Sequence, residues 1–151
     1  MAQRIRPTIR LLFACDDATY EIDTSRWVLT NPWYAVALPP GATFPFRADE
    51  FWVYVQLSGG SGAFDLAIEM RHLTDDQGPR VVGWSPTARV EFPAGDRLQV
   101  IDTAFGLKHV PFREEGLYEI RVLAEGDQPG TWLPRSGSIC ELRVLDPRNR
   151  P

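Results

Sequence analysis

Apolar and polar residues alternate with a period of two in four stretches of this chain. Phe51, Val53, Val55 and Leu57 form one set. Phe64, Leu66, Ile68 and Met70 alternate with Asp65, Ala67, Glu69 and Arg71. Near the C-terminus Tyr118, Ile120 and Val122 alternate with Glu119 and Arg121, and Cys140, Leu142 and Val144 with Glu141 and Arg143. This is the pattern of a strand with one face on a core and the other in water. Residues 8–15, 33–38, 81–92 (interrupted at Ser85-Pro86) and 98–110 supply less regular candidates. Turn signals separate these runs, at Asn31-Pro32, Pro39-Pro40-Gly41, Gly59-Gly60-Ser61-Gly62, Gln77-Gly78-Pro79, Pro93-Ala94-Gly95-Asp96 and Gln128-Pro129-Gly130. The link 58–62 can take the positive φ angles of a hairpin loop, which predicts that the strands on either side of it pair.

No window holds apolar residues at helical spacing between capping signals. The reading is therefore all-β with no significant helix: about eight strands in an antiparallel sandwich rather than an α/β fold, which needs intervening helices. Glu115-Gly116-Leu117-Tyr118-Glu119-Ile120 favours the sandwich. A Gly-x-Tyr run after a loop resembles the tyrosine corner of immunoglobulin-like folds, where the phenol bonds back to the backbone. Tyr118 and Gly116 are thus expected to be structural. The organisation expected is a lead-in over 1–7, one β-sandwich domain over 8–145 and a flexible tail over 146–151.

Composition narrows the partners. The chain has 151 residues with 44% apolar and 24% charged, ordinary for a globular domain. A net charge of −4 argues against nucleic acid, whose affinity comes from Lys and Arg displacing counterions. Lys108 is the one lysine beside fifteen arginines, as a GC-rich genome would produce. The apolar stretch 11–15 is too short for a signal-peptide core or a membrane span, so a cytoplasmic location and no membrane partner are expected. Cys15 and Cys140 would then stay reduced, as small core residues in the first and last strands that a sandwich could bring together.

Leu11-Leu12-Phe13-Ala14-Cys15-Asp16-Asp17 and Phe112-Arg-Glu-Glu-Gly116-Leu-Tyr118 together resemble a family of small uncharacterised bacterial sandwich proteins. Such proteins carry a Cys-Asp pair at the end of the first strand and a Phe-x-x-x-Gly-x-Tyr run before a late one. The chain departs from that pattern over 24–34, where Ser25-Arg26-Trp27-Val28-Leu29-Thr30-Asn31-Pro32 stands in place of a Gly-rich turn. The resemblance implies the immunoglobulin-like fold and no activity.

Catalytic chemistry finds little material. Nucleophilic catalysis needs a base, and the two histidines, His72 and His109, both read as strand residues. No Gly-x-Ser-x-Gly elbow, zinc-ligand spacing or phosphate loop occurs. Asp16, Asp17 and Asp23, or Asp75 and Asp76, could present carboxylates to calcium from loops, but they lack the regular calcium-loop spacing, and Asp16 and Asp75 are expected to bond their own backbones in turns. The glutamates alternate outward with arginine, as solvated cross-strand ladders do. No enzyme activity, metal or cofactor is expected.

Aromatic residues are the most informative excess, with five tryptophans. Trp52 and Tyr54, with Gln56, fall on the strand face opposite Phe51, Val53 and Val55, and Trp33, Tyr34 and Trp132 flank loops that could extend the strip. An aromatic strip turned away from the core needs a cover: a loop such as 39–45, a protein partner or a sugar ring. Trp27 and Trp84 would fill the core. The expected function is a non-catalytic protein-binding or assembly module that uses this face or an open sheet edge, with a homodimer as the simplest case. A carbohydrate-binding module is the alternative. A hydrolase would need Asp16 or Asp17 to meet His72 or His109.

Overall fold

The computed structural model describes residues 4–33, 35–73, 78–93, 98–125, 141–145 and 148. They form strands β1 (Thr8–Glu21), β2 (Arg26–Trp33), β3 (Ala35–Ala37), β4 (Phe46–Arg47), β5 (Glu50–Ser58), β6 (Gly62–Leu73), β7 (Arg80–Trp84), β8 (Ala88–Phe92), β9 (Val100–Lys108), β10 (Pro111–Phe112), β11 (Gly116–Glu125) and β12 (Glu141–Leu145). The protein is all-β, with no α-helix among the described residues and no helix long and apolar enough to cross a membrane.

Two sheets dominate. The first has the order β2-β1-β5-β9, antiparallel throughout. The second has the order β3-β12-β11-β6-β7, with β8 also on β6, and its one parallel pair is β12 with β3. β4 and β10 pair separately. Phe51, Val53, Val55 and Leu57 of the first sheet share one buried cluster with Phe64, Leu66, Ile68 and Met70 and with Tyr118, Ile120 and Val122 of the second. The alternating apolar sets are thus the two inner walls of a single core, each large side chain adding about 1.5–3 kcal/mol by leaving water.

The link between β5 and β6 is not a hairpin. β5 pairs with β1 and β9, whereas β6 pairs with β11, β7 and β8, so Gly59 and Gly62, at φ +76° and +93°, turn the chain from one sheet into the other. Gly60 fits the corner because a Cβ there would meet the Phe92 ring at 2.9 Å. Turn residues report that the chain reverses, and local chemistry is the same whether the two strands then sit side by side or face to face. Facing each other lets both aliphatic sets dry one another.

Other expectations shift as well. β1 continues beyond residue 15 to Glu21, and β2 forms over 26–33, where a strand was expected only from residue 33 onward. Trp33 ends β2 instead of opening a strand over 33–38, of which only β3 forms. His109 lies outside β9, at φ 55°, its amide donating to the Asp49 carbonyl. His72 is buried within β6. The reverse face of β6 meets water only in part: Ala67 and Glu69 are buried, whereas the Asp65 side chain is 47% exposed.

At β11 the phenol of Tyr118 donates to the backbone oxygen of Glu114 at 2.7 Å. The ring stacks on His72 at 4.4 Å and meets Phe112 edge-on at 5.1 Å. The loop ahead of β11 is tied down by this bond, because the buried hydroxyl has found a carbonyl four residues back.

Candidate interaction surface

Register sets the outer face of the first sheet. On β5, Trp52, Tyr54 and Gln56 point away from the core, opposite Cys15, Phe13 and Leu11 of β1 and opposite Gly106, Ala104 and Asp102 of β9. Tyr54 is 7% exposed, and its phenol donates to Asp102 Oδ2 at 2.7 Å while its ring leans on Phe13 at 5.2 Å. Burial first, and then the Asp102 carboxylate, push the phenol up to about 12. Trp52 is half-buried and lies against Gly106, where an added Cβ would come within 3.4 Å of the indole.

The cover over this strip comes from the chain's own first hairpin, not from the loop 39–45. Cys15, Ala18 and Ala104 form a second buried cluster, with Trp27, Leu29 and Trp52 packed on it. Trp27 therefore helps cover the outer face of the first sheet and does not belong to the main core. Cys15 and Ala18 stand three positions apart, which strict alternation would send to opposite faces. The fault lies at Asp16 and Asn31. Asn31 is left-handed at φ 50° and donates to Asp16 Oδ2 at 2.7 Å, and Trp33 Nε1 donates to Asp16 Oδ1 at 2.8 Å. Asp16 thus pins two β2 side chains from within a strand and does not close a turn on its own backbone. Beyond the pin, β1 and β2 carry Ala18 and Leu29 to the outer side, and β2 reaches β9. The β-prone runs Ala18-Thr19-Tyr20 and Trp27-Val28-Leu29 around Asp23-Thr24-Ser25 were the available sequence signal for this hairpin.

What remains open is apolar. Leu11, Tyr20 and Val100 are 47%, 48% and 45% exposed on the same outer side, Tyr20 touching Trp27 edge-on at 5.4 Å. Ile22, at the hairpin tip, is more open still. Of the residues expected in the strip, Trp33 is turned inward, packing on Phe51 at 5.3 Å in the main core. Tyr34 and Trp132 lie outside the described residues, as do Cys140, Asp75 and Asp76. The Cys15 thiol is buried and free, pushed up to about 11 by burial and then by Asp16 and Asp17.

The outer face of the second sheet carries a charge lattice. Arg71 Nη2 meets Glu119 Oε1 at 2.6 Å, Arg121 Nε lies 3.6 Å from the same oxygen, and Arg71 Nε lies 3.8 Å from Glu69 Oε1. The expected ladder of Glu and Arg exists and is solvated in part: Arg89, Asp65 and Glu91 are exposed, whereas the Glu69 side chain is 5% exposed and its Oε1 accepts no hydrogen bond. Burial raises the Glu69 carboxyl above its ordinary value, Arg121 and Arg71 opposing in part. Trp84, directly opposite Glu69 on β7, is half exposed and not a core residue. A cleft of about 420 Å³ between β11 and β12 is lined by Glu115, Gly116, Leu117, Arg143, Val144 and Leu145. Asp16 and His72 sit on different sheets. Among the described residues, no three His, Cys, Asp or Glu side chains are placed to hold a metal.

Residues 10–132 match the model of DUF6941, a family of unknown function. No curated protein matches the chain.

Proposed function

We propose, from the premise that the chain belongs to this family of unknown function, that it is a non-catalytic protein-binding or assembly module whose contact surface is the outer side of the first sheet. The observation that carries this reading is the set Leu11, Tyr20 and Val100, left open around an apolar strip that the first hairpin only partly covers. An apolar patch next to a packed aromatic cluster is a usual site of docking, since the cluster holds the surface rigid and little entropy is lost on contact. The two facing sheets and the Tyr118 bond to Glu114 support reading the fold as immunoglobulin-like. A sugar platform has less support, because it needs open ring faces and Tyr54 and Trp52 are packed.

The test uses Leu11→Glu with Val100→Glu, both at exposed positions where the fold tolerates charge within about 0.5 kcal/mol. Wild type and variant serve as baits in extracts of the source cells, alongside native mass by light scattering. Wild type is expected to retain a defined protein, or a second copy of itself, that the variant releases. A monomeric wild type that captures nothing beyond what the variant captures would refute the reading.

A further inference from the structure

We infer that the edge of β9 that pairs with no strand among the described residues is a self-association seam, on which a second copy of this chain adds its own β9 antiparallel about a two-fold axis at Phe105. The inference rests on the assembly reading above and names the occupant for one edge of the first sheet.

The other sheet edges are defended. β2 carries Asn31 at φ 50° and Pro32, whose nitrogen cannot donate. β7 is five residues long, and its register on β6 shifts between Met70 and Arg71. β8 is equally short and bears Arg89 and Glu91. β3 has three residues. Short strands, bulges, proline and charge are the devices by which sheet edges avoid pairing with another chain.

β9 has none of these through its middle. Nine residues, Val100 to Lys108, run in unbroken register against β5, and among the described residues β9 is hydrogen-bonded to no other strand. It contains no proline and no left-handed residue, and its only charges are Asp102 and Lys108. An edge of this kind presents a row of backbone donors and acceptors to any strand that can lie alongside.

Self-complementarity selects the strand. Two copies of β9 paired about Phe105 put Asp102 of each copy opposite Lys108 of the other, on the same face of the sheet. Ala104 falls opposite Gly106 beside them, the two smallest residues of the strand, with Trp27 and Leu29 packed on the cluster that holds Ala104, and Trp52 against Gly106, on that face. An axis at Ala104 would place Asp102 against Gly106, and an axis at Gly106 would place Lys108 against Ala104. Only the Phe105 register neutralises both charges. Lys108 is exposed and has no ion pair among the described residues, and Asp102 spends Oδ2 on Tyr54. Ion pairs at such a rim choose register and partner more than they add affinity, which comes from the main-chain bonds and from apolar burial.

Native mass over a concentration series decides the matter, with Lys108→Glu, Asp102→Asn and an equimolar mixture of the two. Asn keeps an acceptor for Tyr54, and position 108 is open, so both variants are expected to fold. Wild type should approach twice 17.1 kDa. Lys108→Glu, which sets like charges opposite each other twice, should weaken association by about tenfold or more. Asp102→Asn should weaken it less, and the mixture should associate more tightly than Lys108→Glu alone. A wild type that stays monomeric overturns the seam. A dimer indifferent to Lys108→Glu also overturns it, while leaving the assembly reading intact, because the copies would then meet elsewhere.

Discussion

Nε2 of His72 lies 2.8 Å from the point that a Cβ on Gly116 would occupy, so the imidazole fills the space any other residue would need there. Gly116 also holds φ +146°, a conformation that side chains rarely adopt. The same imidazole stacks on Tyr118, and its Nδ1 lies 3.4 Å from Glu114 Oε1, so the loop before β11 is held through its backbone carbonyl and beside its carboxylate. Gly116→Ala is expected to cost about 1–3 kcal/mol from backbone strain alone, with the displaced imidazole adding to it. Tyr118→Phe should cost about 0.5–1.5 kcal/mol by removing the bond to the Glu114 carbonyl. Urea unfolding followed by tryptophan fluorescence measures both, and a Gly116→Ala variant as stable as wild type would remove the steric argument.

Two phenols should ionise late. Tyr54 and Tyr118 are both pushed up to about 12, burial being the main cause in each. Their folded values lie above the unfolded value of 10.0, so the stability they contribute is whole below pH 10 and is lost as pH climbs toward 12. Tyrosinate absorbance should show two groups titrating near pH 12, with Tyr54→Phe and Tyr118→Phe each removing one. Early, complete titration of all phenols in the folded protein would contradict the packing described for them.

The hairpin cover can be tested through the thiol beneath it. Cys15 is fully buried under Trp27, Leu29 and Trp52. In a Cys140→Ser background, Trp27→Ala should speed labelling of Cys15 by an aromatic disulfide reagent at least about tenfold, because local opening becomes easier by more than 1.4 kcal/mol. Equal labelling rates in the two proteins would mean that Trp27 does not shield the outer face.

Glu69 is a burden above the acid range. Its carboxyl value is raised by burial, so stability is present below the unfolded value of 4.5 and is lost as pH rises through the folded value. Glu69→Gln should therefore gain on wild type in going from pH 4 to pH 7, read as the difference in urea midpoints. A variant that loses ground over that interval would show that the attraction of Arg71 and Arg121 outweighs the burial.

The strands with strict alternation were legible from the chain because a period of two is a local property: Phe51 to Leu57 and Phe64 to Met70 lie in β5 and β6 with their apolar sets inward. The Gly-x-Tyr run of β11 was legible for the same reason, since Tyr118 bonds a carbonyl only four residues away. Which sheet a strand joins was not local. Gly59 to Gly62 look alike in a hairpin and in a corner, and only the mutual burial of β5 and β6 across the core makes this one a corner. The strip had the same limit. Alternation correctly turned Trp52 and Tyr54 away from the core, but what covers them depends on Asp16 gripping Asn31 and Trp33 and on β2 curling back to β9. The sequence by itself determined which faces are apolar, because that follows from side-chain order along one strand. Only the tertiary structure decided which apolar faces meet each other and which stay open, because that depends on contacts between residues far apart in the chain.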